Sequence, residues 1–174
     1  EYLPSEVNPK IILCGHNRIG YSILQKMKKV KKKVLVVDYN PEIITMMVKE
    51  GYHCIYGNVT DEEIIHKMNL RQIKILVSTV PEVQDNLLLI RKTRTVNQRA
   101  KIFVTANEIE EALRLYKAGA DYVILPHFLG GEHVGDIISK HRDKRIDLKE
   151  EKIAHIKHLE QRKDIGHEHP KQNH

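Results

Sequence analysis

The chain has 174 residues, of which 41% are hydrophobic and 30% charged, and a formal net charge of +6 at pH 7. This composition is typical of a globular domain with its own core. No apolar run approaches the ~20 residues that a membrane-spanning helix needs. The two cysteines, Cys14 and Cys54, fall within predicted strands, which indicates buried thiols rather than a disulfide framework.

A glycine-bounded turn follows the first predicted strand, residues 10–14. Gly15 allows a tight turn, with φ free to be positive, and Gly20 lets the following helix lie close to the strand because it has no Cβ. The amide groups between them carry the positive end of the helix dipole and suit a phosphate. Asn17 replaces the middle glycine of the G-x-G-x-x-G pattern. We therefore predict a phosphate-binding loop made of Gly15, His16, Asn17, Arg18, Ile19 and Gly20.

Strand-like and helix-like apolar periods alternate along the next hundred residues. The predicted strands are 10–14, 34–37, 53–56, 73–79, 101–105 and 122–125. The predicted helices are 19–29, a segment from Pro41 to Gly51, 60–68 with a capping box of Thr60 and Glu63, 83–96, and 109–118 with Gly119 as its stop. This rhythm predicts an α/β fold, a Rossmann-like doubly wound parallel sheet of six strands in the order 3-2-1-4-5-6.

The pattern changes after Pro126. Residues 127–131 contain two glycines and are predicted to be a loop, and a helix is predicted to start near Val134. From Lys140 onward a thin apolar stripe runs through a charged segment, which indicates an arm helix. We therefore divide the chain into a linker (1–9), a nucleotide-binding domain (10–139), a charged C-terminal helix (140–165) and a disordered tail (166–174).

Asp38 ends the second predicted strand, eighteen positions beyond Gly20. In a doubly wound sheet this position lies beside the phosphate loop, where a carboxylate accepts hydrogen bonds from both ribose hydroxyls of an adenosine. No arginine follows it, since the next residues are Tyr39 and Asn40, so NADP is disfavoured. Asn40 precedes Pro41 and is the better candidate for the helix N-cap.

Four further residues follow the third and fourth strands and complete the predicted site, together with Tyr39. Asn58 and Val59 are placed where an adenine packs, although a turn role for Asn58 is equally consistent with the Gly-Asn pair. Thr79 and Val80 are placed beside the phosphates or the second sugar. His16 is expected to be a solvent-facing loop residue rather than a pH sensor.

The run from Lys26 to Lys33 contains six lysines. Such a run suits a nucleic acid or an anionic membrane surface, but it is also typical of a solvated helix end, where lysines complement the dipole. The absence of interleaved aromatic residues argues against stacking on single strands. We favour the solvated helix end and expect no nucleic-acid partner.

Several catalytic motifs are absent from the sequence. There is no G-x-x-x-x-G-K-[ST], no tyrosine followed four residues later by lysine, no C-x-x-C and no H-E-x-x-H. No metal site is predicted. The pattern favours a ligand-binding regulatory domain over an enzyme. The alternative is an NAD-dependent oxidoreductase fragment that lacks its substrate domain.

Four motifs together resemble the RCK (regulator of potassium conductance) N-terminal domain, also called KTN. They are Gly15-His-Asn-Arg-Ile-Gly20, Val34-Leu-Val-Val-Asp38, Gly57-Asn-Val-Thr60-Asp61 and Gly119-Ala-Asp-Tyr-Val-Ile-Leu-Pro126. The resemblance implies a regulatory domain of potassium channels, potassium transporters or cation/proton antiporters. Its ligand is an adenine nucleotide, with NAD(H) or AMP foremost and ADP or ATP also found in the family. Asn58 departs from the aspartate that the family often has.

The resemblance also implies how the domain is assembled. It would form a homodimer through the sixth-strand side and an exchanged crossover helix that starts near Gly131. Its partner would be the pore or transporter domain of a membrane protein, and it would lie at the cytoplasmic face of the cell membrane.

Overall fold

Six parallel strands form one sheet in the order β3-β2-β1-β4-β5-β6 in the computed structural model, which describes residues 9–164. The strands are β1 (Ile11–Cys14), β2 (Val34–Asp38), β3 (His53–Tyr56), β4 (Ile75–Ser78), β5 (Lys101–Thr105) and β6 (Tyr122–Ile124). Every neighbouring pair is parallel, and this order confirms the predicted doubly wound fold. The predicted linker, apart from Pro9, and the predicted tail lie outside the described residues.

Helices cover both faces of this sheet. They are α1 (Arg18–Met27), α2 (Pro41–Lys49), α3 (Glu62–Lys67), α4 (Val83–Val96) and α5 (Ile109–Ala118), and a 3-10 helix (Lys28–Lys33) follows α1 directly. One core contains Leu13 and Val36 of the sheet with Leu24 of α1. The other contains Ile12 and Leu35 with residues of α3, α4 and α5. Alternate residues of each central strand are therefore buried on opposite faces, as parallel sheets require.

The start of α3 differs from the prediction. Asp61, not Thr60, is the N-cap, and its Oδ1 accepts a hydrogen bond from the Glu63 amide at 3.0 Å. Thr60 is engaged elsewhere, because its hydroxyl and its amide both donate to Oδ1 of Asn58. The predicted capping box of Thr60 and Glu63 was therefore wrong by one position. By contrast, Asn40 caps α2 before Pro41 as predicted.

The described residues after Pro126, 127–164, belong to a second compact unit. The predicted loop at 127–131 was wrong, because α6 runs without a break from Pro126 to Arg142. Pro126 suits the first helical position, and the about 1 kcal/mol that each glycine costs in a helix does not stop Gly130 and Gly131 from continuing it. The predicted single charged helix is also interrupted, since Lys144 has a left-handed φ of 54°. A separate helix, α7, begins at Leu148 and ends at Asp164.

None of the helices between residues 9 and 164 combines the length and the hydropathy of a membrane-spanning segment. The same residues contain no cluster of His, Cys, Asp or Glu side chains that would hold a metal ion. Both cysteines are buried, as expected, and burial raises the pKa of the Cys54 thiol to about 12. Burial, and secondarily the charge of Asp38, raises the pKa of the Cys14 thiol further still. Both thiols are therefore protonated and inert at neutral pH.

Candidate nucleotide-binding site

Both glycines of the loop between β1 and α1 are required by the local backbone. Gly15 has a φ of +82°, a value that other residues rarely adopt. A Cβ on Gly20 would lie 2.5 Å from the carbonyl oxygen of Gly15, so any side chain there would displace the helix from the loop. The Gly15 amide is fixed by a hydrogen bond to the carbonyl oxygen of Val37. The predicted geometric roles of the two glycines are confirmed.

Asn17 has a role that the motif did not reveal. It is the N-cap of α1, and its Oδ1 accepts hydrogen bonds from the amides of Ile19 and Gly20 at 3.0 and 3.1 Å. Its Nδ2 donates to the carbonyl oxygen of Thr79 at 2.6 Å. Asn17 thus satisfies two of the helix-terminal amides that were predicted to bind phosphate. The strong N-cap preference of asparagine was the signal available in the sequence.

Asp38 lies at the base of this loop and is only 6% exposed. Its Oδ2 accepts a hydrogen bond from the His16 amide at 2.7 Å, and its Oδ1 accepts one from the Asn40 amide at 2.8 Å. The carboxylate therefore joins the end of β2 to the glycine loop. Each carboxylate oxygen has two lone pairs, so the group is oriented by the backbone and retains the capacity to accept hydrogen bonds from a sugar.

His16 is buried, so the expectation of a solvent-facing side chain was wrong. It is 3% exposed, and its ring packs edge-on against the Tyr21 ring with centroids 6.0 Å apart. Its amide donates a hydrogen bond to Oδ2 of Asp38 at 2.7 Å. The chain therefore buries an imidazole beside the loop, and Arg18 and Asn17 are the exposed side chains at the helix start.

Thr79 and Val80 follow β4 and lie against the loop from the other side. The Thr79 hydroxyl donates to the carbonyl oxygen of Gly15 at 2.7 Å, and its amide donates to the carbonyl oxygen of Cys14 at 2.8 Å. Thr79 is 1% exposed, whereas Val80 is half-buried. Thr79 therefore fixes the loop through its hydroxyl, while Val80 is the one with surface left to contact a ligand.

The remaining predicted residues lie along the adjacent strand ends. The Gly57 amide donates to the carbonyl oxygen of Asp38 at 3.0 Å, which ties the start of the Asn58 turn to the end of β2. Oδ1 of Asn58 is used within that turn, so the turn role is realised in this structure. Val59 is 5% exposed and belongs to the core, whereas Tyr39 is 73% exposed.

Sequence reasoning missed Asn86 in the leucine-rich helix α4. It is fully buried, and its Nδ2 donates to the carbonyl oxygens of Val80 and Thr105 at 3.0 and 3.1 Å. Its Oδ1 has no hydrogen-bond partner among the described residues. Asn86 thereby joins the carboxyl ends of β4 and β5. The available signal was an asparagine directly before three leucines, where a core position is otherwise apolar.

Comparison with known proteins finds potassium channel and potassium-efflux proteins among the relatives of this chain. Potassium channel protein 1 of Methanocaldococcus jannaschii is 25% identical over 134 residues, which are 76% of this chain and 40% of that protein. The glutathione-regulated potassium-efflux system protein KefC of Cronobacter sakazakii is 25% identical over 130 residues, which are 75% of this chain and 21% of that protein. The chain thus spans well under half the length of these curated relatives.

Solved structures share the fold at low sequence identity. The TrkA-N domain of the inner membrane protein ybaL from Escherichia coli has a TM-score of 0.70 and 19% identity, covering 76% of this chain and 98% of that one. The GsuK channel bound to NAD has a TM-score of 0.61 and 22% identity, and the match covers 72% of this chain and 22% of that one. The AMP-bound Kef CTD of Shewanella denitrificans has a TM-score of 0.61 and 15% identity, and the match covers 77% of this chain and 92% of that one.

The TrkA-N domain itself matches residues 11–126, from the first residue of β1 to the first residue of α6. The match includes the glycine loop, Asp38 and the Gly-Ala-Asp segment before β6. It covers the larger part of the chain. The chain therefore belongs to the TrkA-N domain family.

Proposed function

We propose that this chain is a regulatory domain that binds an adenine nucleotide and controls cation movement through a membrane transport protein. The observation that carries the proposal is the position of the Asp38 carboxylate. It accepts a hydrogen bond at 2.7 Å from the amide of His16, in the glycine loop that precedes α1. A hydrogen-bond acceptor for ribose thus lies next to the positive end of a helix dipole, which suits phosphate.

The charges at the helix starts support an anionic ligand at α1. Acidic residues occupy the first turns of α2, α3, α4 and α5, where they complement the dipole. The first turn of α1 has none, and it begins with Arg18. A carboxylate in that turn would repel a phosphate. The start of α1 is therefore the one among these five helices suited to a ligand that brings its own negative charge.

The nature of the ligand follows from the same residues. NAD(H) and AMP are the leading candidates, and ADP and ATP share the adenosine and phosphate groups that the site would contact. NAD and AMP are the ligands named for the GsuK and Kef structures that share this fold. A 2′-phosphate would face the Asp38 carboxylate, so NADP is disfavoured.

Regulation would follow from a difference in affinity. If the nucleotide binds more tightly to one of two arrangements of a dimer, its binding shifts the population toward that arrangement. We propose that the dimer forms through the β6 side with the crossover helix α6. The partner would be a channel or transporter domain, such as those of the relatives, and the site would lie at the cytoplasmic face of the membrane.

Isothermal titration calorimetry with NADH, AMP, ADP and ATP tests the site. Asp38→Ala should weaken the binding of each ligand about a hundredfold, because hydrogen bonds to a charged group contribute about 1.5 to 3 kcal/mol each. Glu110→Ala is the matched control, since it removes an exposed carboxylate from α5 at the same sheet edge. The control should bind as the parent does.

Circular dichroism of both variants separates loss of the site from loss of the fold. The proposal is wrong if none of the four nucleotides binds the parent protein. It is equally wrong if folded Asp38→Ala binds them with unchanged affinity.

A further inference from the structure

Lysines lie side by side where neighbouring strands begin, at the edge of the sheet opposite the glycine loop. The Lys10 amide donates to the carbonyl oxygen of Lys33 at 3.0 Å, and the Lys74 amide donates to that of Lys10 at 2.7 Å. These three residues directly precede β1, β2 and β4, which are adjacent in the sheet. Adjacent strands are about 4.8 Å apart, so like charges are neighbours here, an arrangement that does not favour folding.

The 3-10 helix enlarges this row of charge. It consists of Lys28–Lys33, has no buried residue, and leads directly into β2. Its one apolar side chain, Val30, is 38% exposed. We name the combined surface the basic edge. It consists of Lys10, Lys28, Lys29, Lys32, Lys33 and Lys74.

The basic edge is not neutralised by nearby acids. None of its six lysines forms an ion pair with a residue between 9 and 164. Two adjacent cations are engaged: Lys101 pairs with Asp121 at 2.8 Å, and Lys31 donates to the carbonyl oxygen of Glu50 at 2.9 Å. The charge on the basic edge is thus available to an external partner.

Complementing a helix dipole does not account for this surface. Lys26 already occupies the last turn of α1, and the dipole effect falls off within one turn. Lys10, Lys33 and Lys74 precede strands, where no comparable dipole exists. A solvated helix end therefore explains only a part of the lysine run.

We propose that the basic edge docks on an anionic lipid bilayer. The row crosses adjacent strands and continues through the 3-10 helix, so the charges are spread over an area rather than along a groove. All six residues are lysines, which attract anionic headgroups as compact point charges, whereas arginine is preferred for paired contacts with nucleic acids. No aromatic side chain stands among them for base stacking, and Val30 offers an apolar contact.

The bilayer and the nucleotide would not compete. Parallel strands all begin at one edge and end at the other, so the basic edge and the glycine loop lie at opposite ends of β1. The inference does not require nucleotide binding, although a membrane-docked domain accords with the proposed function.

Co-sedimentation of the full chain with phosphatidylcholine vesicles, with and without phosphatidylserine, tests the proposal. Binding should require phosphatidylserine and weaken as salt rises, because the charges are exposed. The triple variant K28Q/K29Q/K32Q should partition on the order of a hundredfold more weakly. The control K149Q/K152Q/K157Q removes the same charge from α7 and should bind as the parent does.

Vesicle binding by Asp38→Ala and competition with duplex DNA complete the test. Asp38→Ala should retain vesicle binding, so a failure of the nucleotide site and a failure of the basic edge are separable. The proposal is overturned if the parent binds neutral vesicles equally well or binds none. It is also overturned if both triple variants lose binding equally, or if duplex DNA competes for the basic edge more strongly than the vesicles at equal salt.

Discussion

The side-chain amide of Asn17 donates a hydrogen bond to the carbonyl oxygen of Thr79 across 2.6 Å and joins the start of α1 to the end of β4. The same side chain caps the helix through its oxygen. Asn17 thus holds the loop in place while occupying two helix-terminal amides. A phosphate that uses those amides must displace the Asn17 oxygen.

Replacing Asn17 with glycine should therefore strengthen nucleotide binding. The change frees the amides of Ile19 and Gly20, and glycine at an N-cap costs only a few tenths of a kcal/mol. With a net value of about 1 kcal/mol for a hydrogen bond, we expect roughly fivefold tighter binding of AMP and NADH by calorimetry.

Asn17→Asp is the informative comparison for that change. It keeps the capping oxygen, loses the donor to Thr79 and adds a negative charge, so it should bind nucleotide more weakly than the parent. If Asn17→Gly binds no better than the parent, the Asn17 oxygen does not compete with phosphate.

Gly20→Ala should destabilise the fold. The added Cβ would meet the Gly15 carbonyl oxygen at 2.5 Å, and overpacking of this kind costs about 1 to 3 kcal/mol. Chemical denaturation measures the free energy of unfolding. The matched control is Gly130→Ala in α6, where, apart from the adjacent backbone of the helix itself, no atom of the described residues lies within 4 Å of the new methyl group, so stability should be unchanged or slightly higher. Equal effects of the two changes would refute the close contact.

The sequence allowed the sheet order and most element bounds to be predicted because their signals are local. Continuous apolar runs such as the one in Val34–Asp38 predict strands that are buried on both faces of a sheet. Asn40 followed by Pro41 predicts the start of a helix from two adjacent residues. The need for glycine at position 20 also follows from one short motif. These features depend on neighbours along the chain.

The features that were missed have no clear signal in the local sequence pattern. The bond from Asn17 to Thr79 joins residues 62 positions apart, and no motif in the sequence pairs them. The burial of His16 accompanies the contact of its ring with Tyr21, five positions away, which no motif in the loop indicates. In α6, Gly130 and Gly131 suggested a loop, but the helix continues despite their low propensity.

Asp121 should stabilise the fold in a pH-dependent way. Burial alone would raise its pKa, but hydrogen bonds from Lys101, from the Ile102 amide and from Arg94 together lower it below the ordinary value. A lowered folded-state pKa means that the stabilisation is present above the unfolded-state pKa of about 3.9 and is lost as pH falls through the folded-state pKa. The Gly-Ala-Asp segment, residues 119–121, is held to α4 by the same arginine. Arg94 donates hydrogen bonds to both the Asp121 carboxylate and the Gly119 carbonyl oxygen.

The variant Asp121→Asn should be less stable than the parent at pH 7 by about 1 to 2 kcal/mol. The difference should shrink as pH falls below about 4. Denaturation curves at several pH values measure it, with Glu63→Gln, which breaks an exposed pair with Lys67, as the control. A difference independent of pH would show that the Asp121 charge is not the cause.

An exposed apolar face on α5 is the basis of the last prediction. Ile109, Leu113 and Tyr116 are 55%, 62% and 43% exposed, and their spacing of four and three places them on one face of the helix. The adjacent β6 is a sheet edge of three residues. Leu113→Glu should shift a homodimer toward monomer in sedimentation equilibrium, since it places a charge in an apolar interface. Val30→Glu, which also places a carboxylate at an exposed apolar side chain but on the 3-10 helix, should leave the dimer intact. A parent protein that is monomeric at every concentration, or a Leu113→Glu dimer of unchanged affinity, would rule out this face as the interface.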